Sequence, residues 1–539
     1  MKRFLCLSAI VLIGLFLRLI FIDKPDGLWN DEMVSWIVAS MPLYKGFIEG
    51  IKSQCHMPFY YLYLKLFIKL FGSSDMILRL TSVLAGVAAI PIMYFVGKEN
   101  DTKTGYYCAG FCAISSFLIY YSQEVRLYSL LFAFSALSLL FTIKLLKDTN
   151  LKNAILYGFS NFLILITHTI GFVYVFFNLL FVSIYLFKQN KKQIIAIWLS
   201  LFAIFLSIVP FLIRIFTTKS FSQWWGSFSF SKIGFLITDY FSPIITNLTN
   251  SPDEFFYAGY FIVLMLIPSI IAIFLIIMAC LKNKQNLYLL ILSCSVVLVL
   301  IIASLSDRLV LLTKYSIEIY PILIYLACFG LQSVKNSVLK ISIILIYSII
   351  SVGYIIFFPQ SAPKMHRAEG HKIPMEMLYR SDIKHGDYII LLYYPKQRFE
   401  KYFDFSKYNV ISMDKGNFFE YIAPSNSYSD IYKNGKELYR KNFSEEKNLY
   451  LNKTLDNRLS LQTNQSVILV ILDSVSFYSP EEMGEIVQNE TMYNKTPFLF
   501  LVFSYLKKET FEYLIQKYEI TQIERKGKWT VVKFTKLNI

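Results

Sequence analysis

Long apolar runs, separated by short polar stretches, fill the first 358 residues of the chain. Because about 20 residues of helix cross a bilayer core, such runs predict membrane helices. The runs lie at 4–22, 76–97, 106–121, 127–146, 154–168, 170–187, 194–216, 256–281, 287–305, 309–330 and 341–358. The pattern predicts a mainly α, polytopic helical membrane domain over residues 1–358, with about eleven spans, or about twelve or thirteen if further short runs are counted.

The pattern changes after residue 358, where apolar bursts alternate with amphipathic stretches. Four bursts have the composition of strands: DYIILLYY, VILVILDS, FLFLVF and WTVVKF. Two stretches have helical character: SPEEMGEIVQN and KKETFEYLIQKYE. This predicts a small soluble α/β domain over residues 359–539. No glycine-rich phosphate loop follows these strands, so the sequence gives no support for a nucleotide site there.

Basic residues between the apolar runs set the predicted orientation. Threading the spans alternately puts most lysine-containing loops on one side, which the positive-inside rule makes cytoplasmic. We therefore expect a multi-pass protein of the plasma (inner) membrane, with the first loop, 23–75, and the C-terminal domain extracytoplasmic. The run 58–71 is too short to cross and carries Lys65 and Lys69. It predicts an interfacial or re-entrant helix whose lysines snorkel to the headgroups.

The composition agrees with a membrane protein, since 55% of the 539 residues are hydrophobic. A net charge of +16 would suggest nucleic-acid binding in a soluble protein. In this chain many lysines lie in short loops between apolar runs, where they set the orientation of the spans in the membrane. We therefore expect membrane lipids as partners and do not expect nucleic-acid binding. The seven cysteines lie mostly within apolar runs, which predicts no disulfide framework and no thiolate metal site.

The first candidate chemistry lies in the loop after the first span, where Asp31 and Glu32 occur in GLWNDEM. A carboxylate flanked by aromatic residues at a membrane surface suits a general base that acts on a hydroxyl or amine. A structural alternative is that Asn30 or Asp31 starts a helix, with Glu32 in its first turn.

The second candidate is the short stretch YYSQEVRLYSLL, which places Gln123, Glu124, Arg126 and Tyr128 between two spans. The donor fork of arginine matches phosphate oxygens, so Arg126 is a candidate phosphate contact at the lipid boundary. The alternative is a local pairing of Glu124 with Arg126 that only marks the membrane edge.

The third candidate is SDRLVLLTKYSIEIYP, in which Lys314 and Glu318 are four residues apart. On an α-helix these side chains share one face and could pair. Charges within a span usually face a cavity or a partner, which favours function here. A structural role is favoured for the isolated His168, and Arg79 is interpreted as a snorkelling anchor.

Taken in order, these motifs resemble those of the GT-C membrane glycosyltransferases. More narrowly they are similar to the bacterial relatives of dolichyl-phosphate-mannose protein mannosyltransferases and to the lipid A aminoarabinose transferase. The resemblance rests on an early span with Arg18, then WNDE, HMPFYYLYLKLF, LRLTSVLAG, YSQEVRLYSL and KYSIEIYP, over roughly residues 10–330. It implies transfer of a sugar from a polyprenyl-phosphate donor to a lipid, glycan or protein acceptor at the outer face, with inversion at the anomeric carbon.

The resemblance also implies site residues. Asp31 would be the base or a metal-adjacent carboxylate, with Glu32 beside it. The candidates for donor phosphate or sugar binding are Glu124, Arg126, Lys314, Tyr128, His56 and Gln123. No metal ligand is assigned, although Asp31 and Glu124 could supply hard oxygen ligands to a divalent cation. Met57 stands where a proline is usual, and Lys314 where arginine is common, so a bidentate phosphate contact becomes a point charge.

A transporter or flippase of a lipid-linked saccharide is the alternative function. Transport sites of that kind lie near the bilayer midplane. The charged motifs of this chain instead fall at one predicted surface, which favours the glycosyltransferase.

Overall fold

A computed structural model describes most of the membrane domain and part of the C-terminal domain. The described residues are 2–23, 27–54, 57–186, 231–242, 252–305, 311–357, 370–393, 396–414, 465–472, 510–511, 513–526 and 529–536, with the single residues 198, 209, 213, 455, 458 and 459. The chain divides into two compact units. The first comprises Met1–Asp23 and Val38–Lys364, and the second comprises Lys24–Ile37 and Met365–Ile539.

The described chain up to residue 357 is helical. Its helices are α1 (Lys2–Leu19), α2 (Asn30–Ser40), α3 (Leu43–Gln54), α4 (Phe59–Phe71), α5 (Asp75–Lys98), α6 (Thr102–Ile114), α7 (Ser116–Ser122), α8 (Tyr128–Lys147), α9 (Leu151–Leu165), α10 (Gly171–Leu186), α11 (Ser231–Phe241), α12 (Pro252–Lys282), α13 (Lys284–Ser304), a 3-10 helix (Thr313–Ile319), α14 (Tyr320–Ser333) and α15 (Ser337–Phe357). This confirms the mainly α membrane domain.

Five helical segments of the described chain are long and apolar enough to cross a membrane. They are Asp75–Lys98, Tyr128–Lys147, Lys284–Ser304, Thr313–Ser333 and Ser337–Ile356. Shorter apolar helices occur at Phe4–Leu19, Leu151–Leu165, Gly171–Leu186 and Leu266–Lys282. The predicted span at 194–216 lies outside the described residues apart from three single positions, so the number of spans stays a prediction.

The run 106–121, predicted as one span, is two helices that break at Ser115. The Ser115 backbone has ψ 116°, which lies outside the helical range. Its hydroxyl accepts a hydrogen bond from the Leu118 amide and lies 3.0 Å from the Tyr320 hydroxyl. The hydrogen-bonded serine therefore starts a second helix in a new direction, which apolar length alone does not reveal.

The contacts of Lys65 differ from those expected for the short run 58–71, whose lysines were predicted to reach the lipid headgroups. The run does form a helix of only 13 residues, α4. The Lys65 ammonium, however, does not snorkel: it donates to the carbonyls of Ala39 and Met41 at 3.1 and 2.6 Å. These carbonyls lie at the C-terminal end of α2, where the last turn leaves acceptors without helical partners. Lys65 is thus a cap for that end, while Lys69 is exposed.

Buried polar side chains connect three helices of the first unit. Asn178 of α10 donates to the Ser138 hydroxyl of α8 at 3.0 Å and to the Thr142 hydroxyl at 3.1 Å. The Ser138 hydroxyl in turn donates to the Asn161 amide oxygen of α9 at 3.0 Å. Such interhelical hydrogen bonds stabilise helix packing where apolar side chains face apolar lipid.

The second unit contains a five-stranded mixed sheet and a helix. Its elements are α16 (Lys372–Arg380), β1 (Tyr388–Tyr393), β2 (Asn409–Asp414), β3 (Ser466–Leu472), β4 (Tyr518–Lys526) and β5 (Trp529–Lys536). The strand order is β2-β1-β3-β5-β4. β1 pairs in parallel with β2 and β3, whereas β5 is antiparallel to β3 and β4. The central strands β1 and β3 are almost continuously buried, which explains their uninterrupted apolar sequence.

Three of the four predicted strands are present as β1, β3 and β5, and they confirm the small C-terminal sheet domain. FLFLVF and SPEEMGEIVQN lie outside the described residues. One prediction is wrong at its end: the stretch KKETFEYLIQKYE was expected to be helical to Glu519, but strand β4 begins at Tyr518. The sequence YEIT at its start alternates apolar and polar residues, and β4 pairs antiparallel with β5.

Candidate active site

The N-terminus of α2 carries both carboxylates of the WNDE motif. Asp31 and Glu32 lie in its first turn. The Trp29 amide donates to Glu32 Oε2 at 3.2 Å, and the Glu32 side chain is fully buried. This reach back to the residue before the helix is half of a capping box. The structural interpretation therefore holds for Glu32, which fixes the start of the helix.

Asp31 occupies a different environment from its neighbour. Its side chain is partly exposed, while its backbone carbonyl accepts a hydrogen bond from the Ser35 hydroxyl at 3.0 Å. The positive end of the helix dipole favours a negative charge at this position. The second unit thus presents Asp31 as a partly exposed carboxylate in the first turn of a capped helix.

The turn at 123–127 in the first unit is anchored by polar contacts. Gln123 Nε2 donates to the carbonyls of Arg18 and Ile20 at 3.1 and 2.6 Å, so this side chain caps the end of α1. The Ser82 hydroxyl of α5 contacts the Glu124 carbonyl at 2.5 Å. These contacts hold the short turn that leads directly to Arg126, and all three predicted residues of the turn are buried.

Arg126, Tyr128, Lys314 and Tyr315 form what we call the cationic cluster. The Arg126 guanidinium carbon and the Lys314 ammonium both lie 5.9 Å from the centre of the Tyr128 ring. Lys314 also lies 5.3 Å from the Tyr315 ring. Aromatic faces attract cations at such distances. Two cationic side chains thus approach one ring, an arrangement that can contact an anion.

A buried His168–Glu318 pair adjoins the cationic cluster. His168 Nδ1 lies 3.3 Å from Glu318 Oε1, and both side chains are almost completely buried. The imidazole stacks on the Tyr315 ring at 6.1 Å and 18°. In the described part of the chain, Glu318 Oε2 and the Tyr128 hydroxyl are buried and have no hydrogen-bond partner. Buried polar atoms are normally satisfied, so these two atoms are candidates to bind a ligand or a water molecule.

The expected pairing of Lys314 with Glu318 required an α-helix, and the structure has a different helix type at these residues. Residues Thr313–Ile319 form a 3-10 helix with a kink at Ser316 (φ −117°, ψ 20°). In a 3-10 helix side chains three apart align, and not those four apart. Glu318 contacts His168 instead, which agrees with the structural role favoured for that histidine.

Two further charged residues were missed or misread from sequence. Asp239 of α11 is buried and accepts a hydrogen bond from the Thr313 hydroxyl at 2.8 Å, next to Lys314. The sequence around it, FLITDYF, gives no signal of this contact. Arg79 is not a snorkelling anchor: it is fully buried and donates to the Ile22 carbonyl at 3.1 Å.

The predicted site residues fall into three groups. Gln123, Glu124, Arg126, Tyr128 and Lys314 lie in the first unit, and the last three converge in the cationic cluster. Asp31 and Glu32 lie in the second unit. His56 lies outside the described residues. Within the described ranges, no group of three or more histidine, cysteine or acidic side chains is arranged to hold a metal ion.

Comparison with known proteins gives a family match and a fold. A family model described as dolichyl-phosphate-mannose-protein mannosyltransferase matches residues 55–214. The crystal structure of ArnT from Cupriavidus metallidurans in the apo state is 12% identical, covers 98% of this chain and 97% of its own, and has a TM-score of 0.54. The structure of the same protein bound to undecaprenyl phosphate is also 12% identical, with the same coverage and a TM-score of 0.50. No curated protein sequence matches the chain.

These comparisons confirm the resemblance to GT-C glycosyltransferases that the motifs indicated. The fold is that of ArnT over nearly the whole length of both chains. A helical, multi-pass membrane domain followed by a small sheet domain is the shared architecture.

Proposed function

We propose that this protein is an integral-membrane glycosyltransferase that moves a sugar from a polyprenyl-phosphate donor to an acceptor at the outer face of the membrane. The observation that carries the proposal is the cationic cluster, where Arg126 and Lys314 share the Tyr128 ring. The family match and the ArnT fold support the class of enzyme. The ArnT structure with undecaprenyl phosphate supports a lipid-linked phosphate as the ligand.

The cationic cluster would bind the donor phosphate and stabilise the leaving group. Polyprenyl phosphate gains negative charge as the sugar departs, and fixed cations close to its oxygens lower the barrier. Arg126 offers a planar donor fork, whereas Lys314 offers a point charge. The Tyr128 hydroxyl, buried and without a partner among the described residues, supplies a further donor to a phosphate oxygen.

Asp31 would act as the general base. The acceptor hydroxyl or amine attacks the anomeric carbon, the bond from that carbon to the phosphate oxygen breaks, and its electron pair leaves with polyprenyl phosphate. The proton of the acceptor passes to the Asp31 carboxylate. A single displacement inverts the configuration at the anomeric carbon. The capped helix start fixed by Glu32 holds the base in place, as a positioned proton acceptor requires.

The test is sugar transfer by the purified full-length protein in lipid vesicles, with a panel of radiolabelled polyprenyl-phosphate sugars. We expect Asp31→Asn to reduce turnover by about a hundredfold or more, because general-base catalysis contributes at least that much. Asp23→Asn, which changes an exposed carboxylate before the motif, is the matched control. Retained turnover in Asp31→Asn would remove Asp31 as base. Movement of labelled lipid across the bilayer without transfer would instead favour a flippase.

A further inference from the structure

We infer that Tyr402 and His371 of the C-terminal domain are positioning residues that hold Leu28 and thereby orient Asp31. This inference rests on the proposed function for the role of Asp31, whereas the contacts themselves do not depend on it. It gives the C-terminal domain a task in the proposed reaction.

The first argument is the composition of the second unit. Residues Lys24–Ile37, which include the WNDE motif, belong to the same compact unit as Met365–Ile539. The start of the helix that carries Asp31 is therefore built on C-terminal residues. A base supported by a folded domain keeps its geometry better than one on a solvated loop.

The second argument is a backbone clamp at Leu28, three residues before Asp31. The Leu28 amide donates to the Tyr402 hydroxyl at 2.8 Å. The Leu28 carbonyl accepts from the His371 amide at 3.2 Å and from His371 Nδ1 at 3.3 Å. Both polar groups of this fully buried residue thus contact residues more than 340 positions later in the chain. Leaving either group unsatisfied would be costly in a buried position.

The third argument is the fit of Gly27 against the same residues. Its φ is +78°, a conformation that favours glycine. A Cβ at this position would lie 2.7 Å from Lys372 Cβ and 2.8 Å from the Tyr402 hydroxyl oxygen. The backbone therefore approaches the C-terminal domain as closely as a residue without a side chain permits.

The charge state of His371 suits a side chain that donates a hydrogen bond to the Leu28 carbonyl. Burial, together with the nearby Arg398 charge, lowers the pKa of His371 to about 3, so the ring is neutral at physiological pH. The ring is packed against Phe399 and Trp529, with centroids at 5.2 and 6.0 Å. A neutral ring that donates through Nδ1 holds the Leu28 carbonyl without adding a charge.

A second contact lies on the other side of Asp31. The Lys401 ammonium sits 5.1 Å from the centre of the Trp36 ring, in α2, and 5.7 Å from the Tyr402 ring. Contacts at Leu28 and Trp36 therefore bracket the first two turns of the helix. Since a displacement of about 1 Å can cost a hundredfold in rate, this bracket is a means of fixing the base.

The test compares Tyr402→Phe with Tyr379→Phe, a matched control at an exposed tyrosine of the same domain. Hydrogen–deuterium exchange of the full-length protein is measured on peptides that cover residues 27–33. Loss of one hydrogen bond predicts about fivefold faster exchange at Leu28 in Tyr402→Phe. Exchange in strand β1 should stay unchanged and serves as the control for folding. In transfer assays we expect kcat to fall about fivefold with the donor KM unchanged.

Gly27→Ala is a second variant that attacks the same contact by a different route. The added Cβ should push the segment away from Tyr402 and accelerate exchange more than Tyr402→Phe does. Unchanged exchange at Leu28 in both variants would overturn the clamp. Faster exchange with an unchanged kcat would overturn its positioning role. If the wild-type protein transfers no sugar, the proposed function fails, but the exchange data still decide whether the clamp exists.

Discussion

Two buried charged clusters in the first unit look alike in sequence but differ in how completely their polar atoms are satisfied. The Arg18 guanidinium donates to the Ser122 hydroxyl and to the carbonyls of Gly14, Ala113 and Cys112, at 3.0 to 3.1 Å. In the cationic cluster and the adjoining pair, the Tyr128 hydroxyl and Glu318 Oε2 have no partner among the described residues.

The difference suits a structural role for Arg18 and the ligand-binding role that we propose for the cationic cluster. The guanidinium has five N–H donors, and four of those of Arg18 are used by three carbonyls and one hydroxyl of its own fold, which leaves little capacity for a ligand. The unused hydrogen-bonding groups beside the cationic cluster are candidates to bind a ligand. Burial of a charge alone therefore does not identify a functional site, and the unused polar atoms of Tyr128 and Glu318 support only a proposal that a ligand binds there.

The largest expected effect comes from removing Arg18. Arg18→Met leaves several buried acceptors unsatisfied, and we expect a loss of about 3 kcal/mol or more in the free energy of unfolding. Thermal denaturation of the detergent-solubilised protein measures it. Gly86→Ala is a second route to the same damage, because its Cβ would clash with Ser122 and lie 2.9 Å from Arg18 Nε. A wild-type Tm in both variants would contradict the structural role.

Arg126→Ala and Lys314→Met should weaken donor binding more than they lower the stability of the fold. Charged hydrogen bonds to phosphate contribute about 1.5 to 3 kcal/mol each, so we expect the donor KM to rise roughly tenfold to a hundredfold. The loss in Tm should be smaller than in Arg18→Met. Lys147→Met, at an exposed lysine that pairs with Glu99, is the matched control. An unchanged donor KM would remove the residue concerned from the phosphate site.

The second unit adds a buried histidine, His371, whose charge state depends on pH. The pKa of His371 is about 3 in the folded chain, against 6.5 in the unfolded chain. The unfolded state therefore binds more protons below pH 6.5, and stability is lost as the pH falls from 6.5 towards 3. At pH 5 the loss is about 2 kcal/mol. Urea unfolding of wild type and His371→Gln between pH 7 and pH 5 checks this, with a flatter profile expected for the variant.

The smallest effect should come from Glu318→Gln. The amide retains a hydrogen-bonding oxygen for His168 but removes the charge, so we expect at most about a threefold change in donor KM. Glu318→Ala, which also removes the contact with His168, should raise KM further by freeing Tyr315. Equal KM values for both variants would mean that the pair does not support the cationic cluster.

Much of the fold could be predicted from the sequence because its signals are local. Twenty apolar residues in a row suffice to predict a membrane helix, and runs such as 127–146 and 287–305 match α8 and α13 within a few residues. Helix α4 was predicted to be short for the same reason. The strands of the C-terminal domain were predicted from short apolar bursts. Arg126 and Lys314 were predicted as candidate site residues because charged residues are rare within membrane spans.

The tertiary structure decided which polar groups meet. Lys65 caps α2, Arg79 is buried against Ile22, and Leu28 is held by Tyr402, because each partner comes from a distant part of the chain. The sequence by itself determined the class of fold and the candidate charges, since apolar length and residue type are local properties. Only the folded chain decided that Glu32 caps a helix, that Gln123 caps α1, and that four of the five Arg18 donors contact groups of the fold. Hydrogen-bond satisfaction depends on neighbours in space, and no local pattern encodes those neighbours.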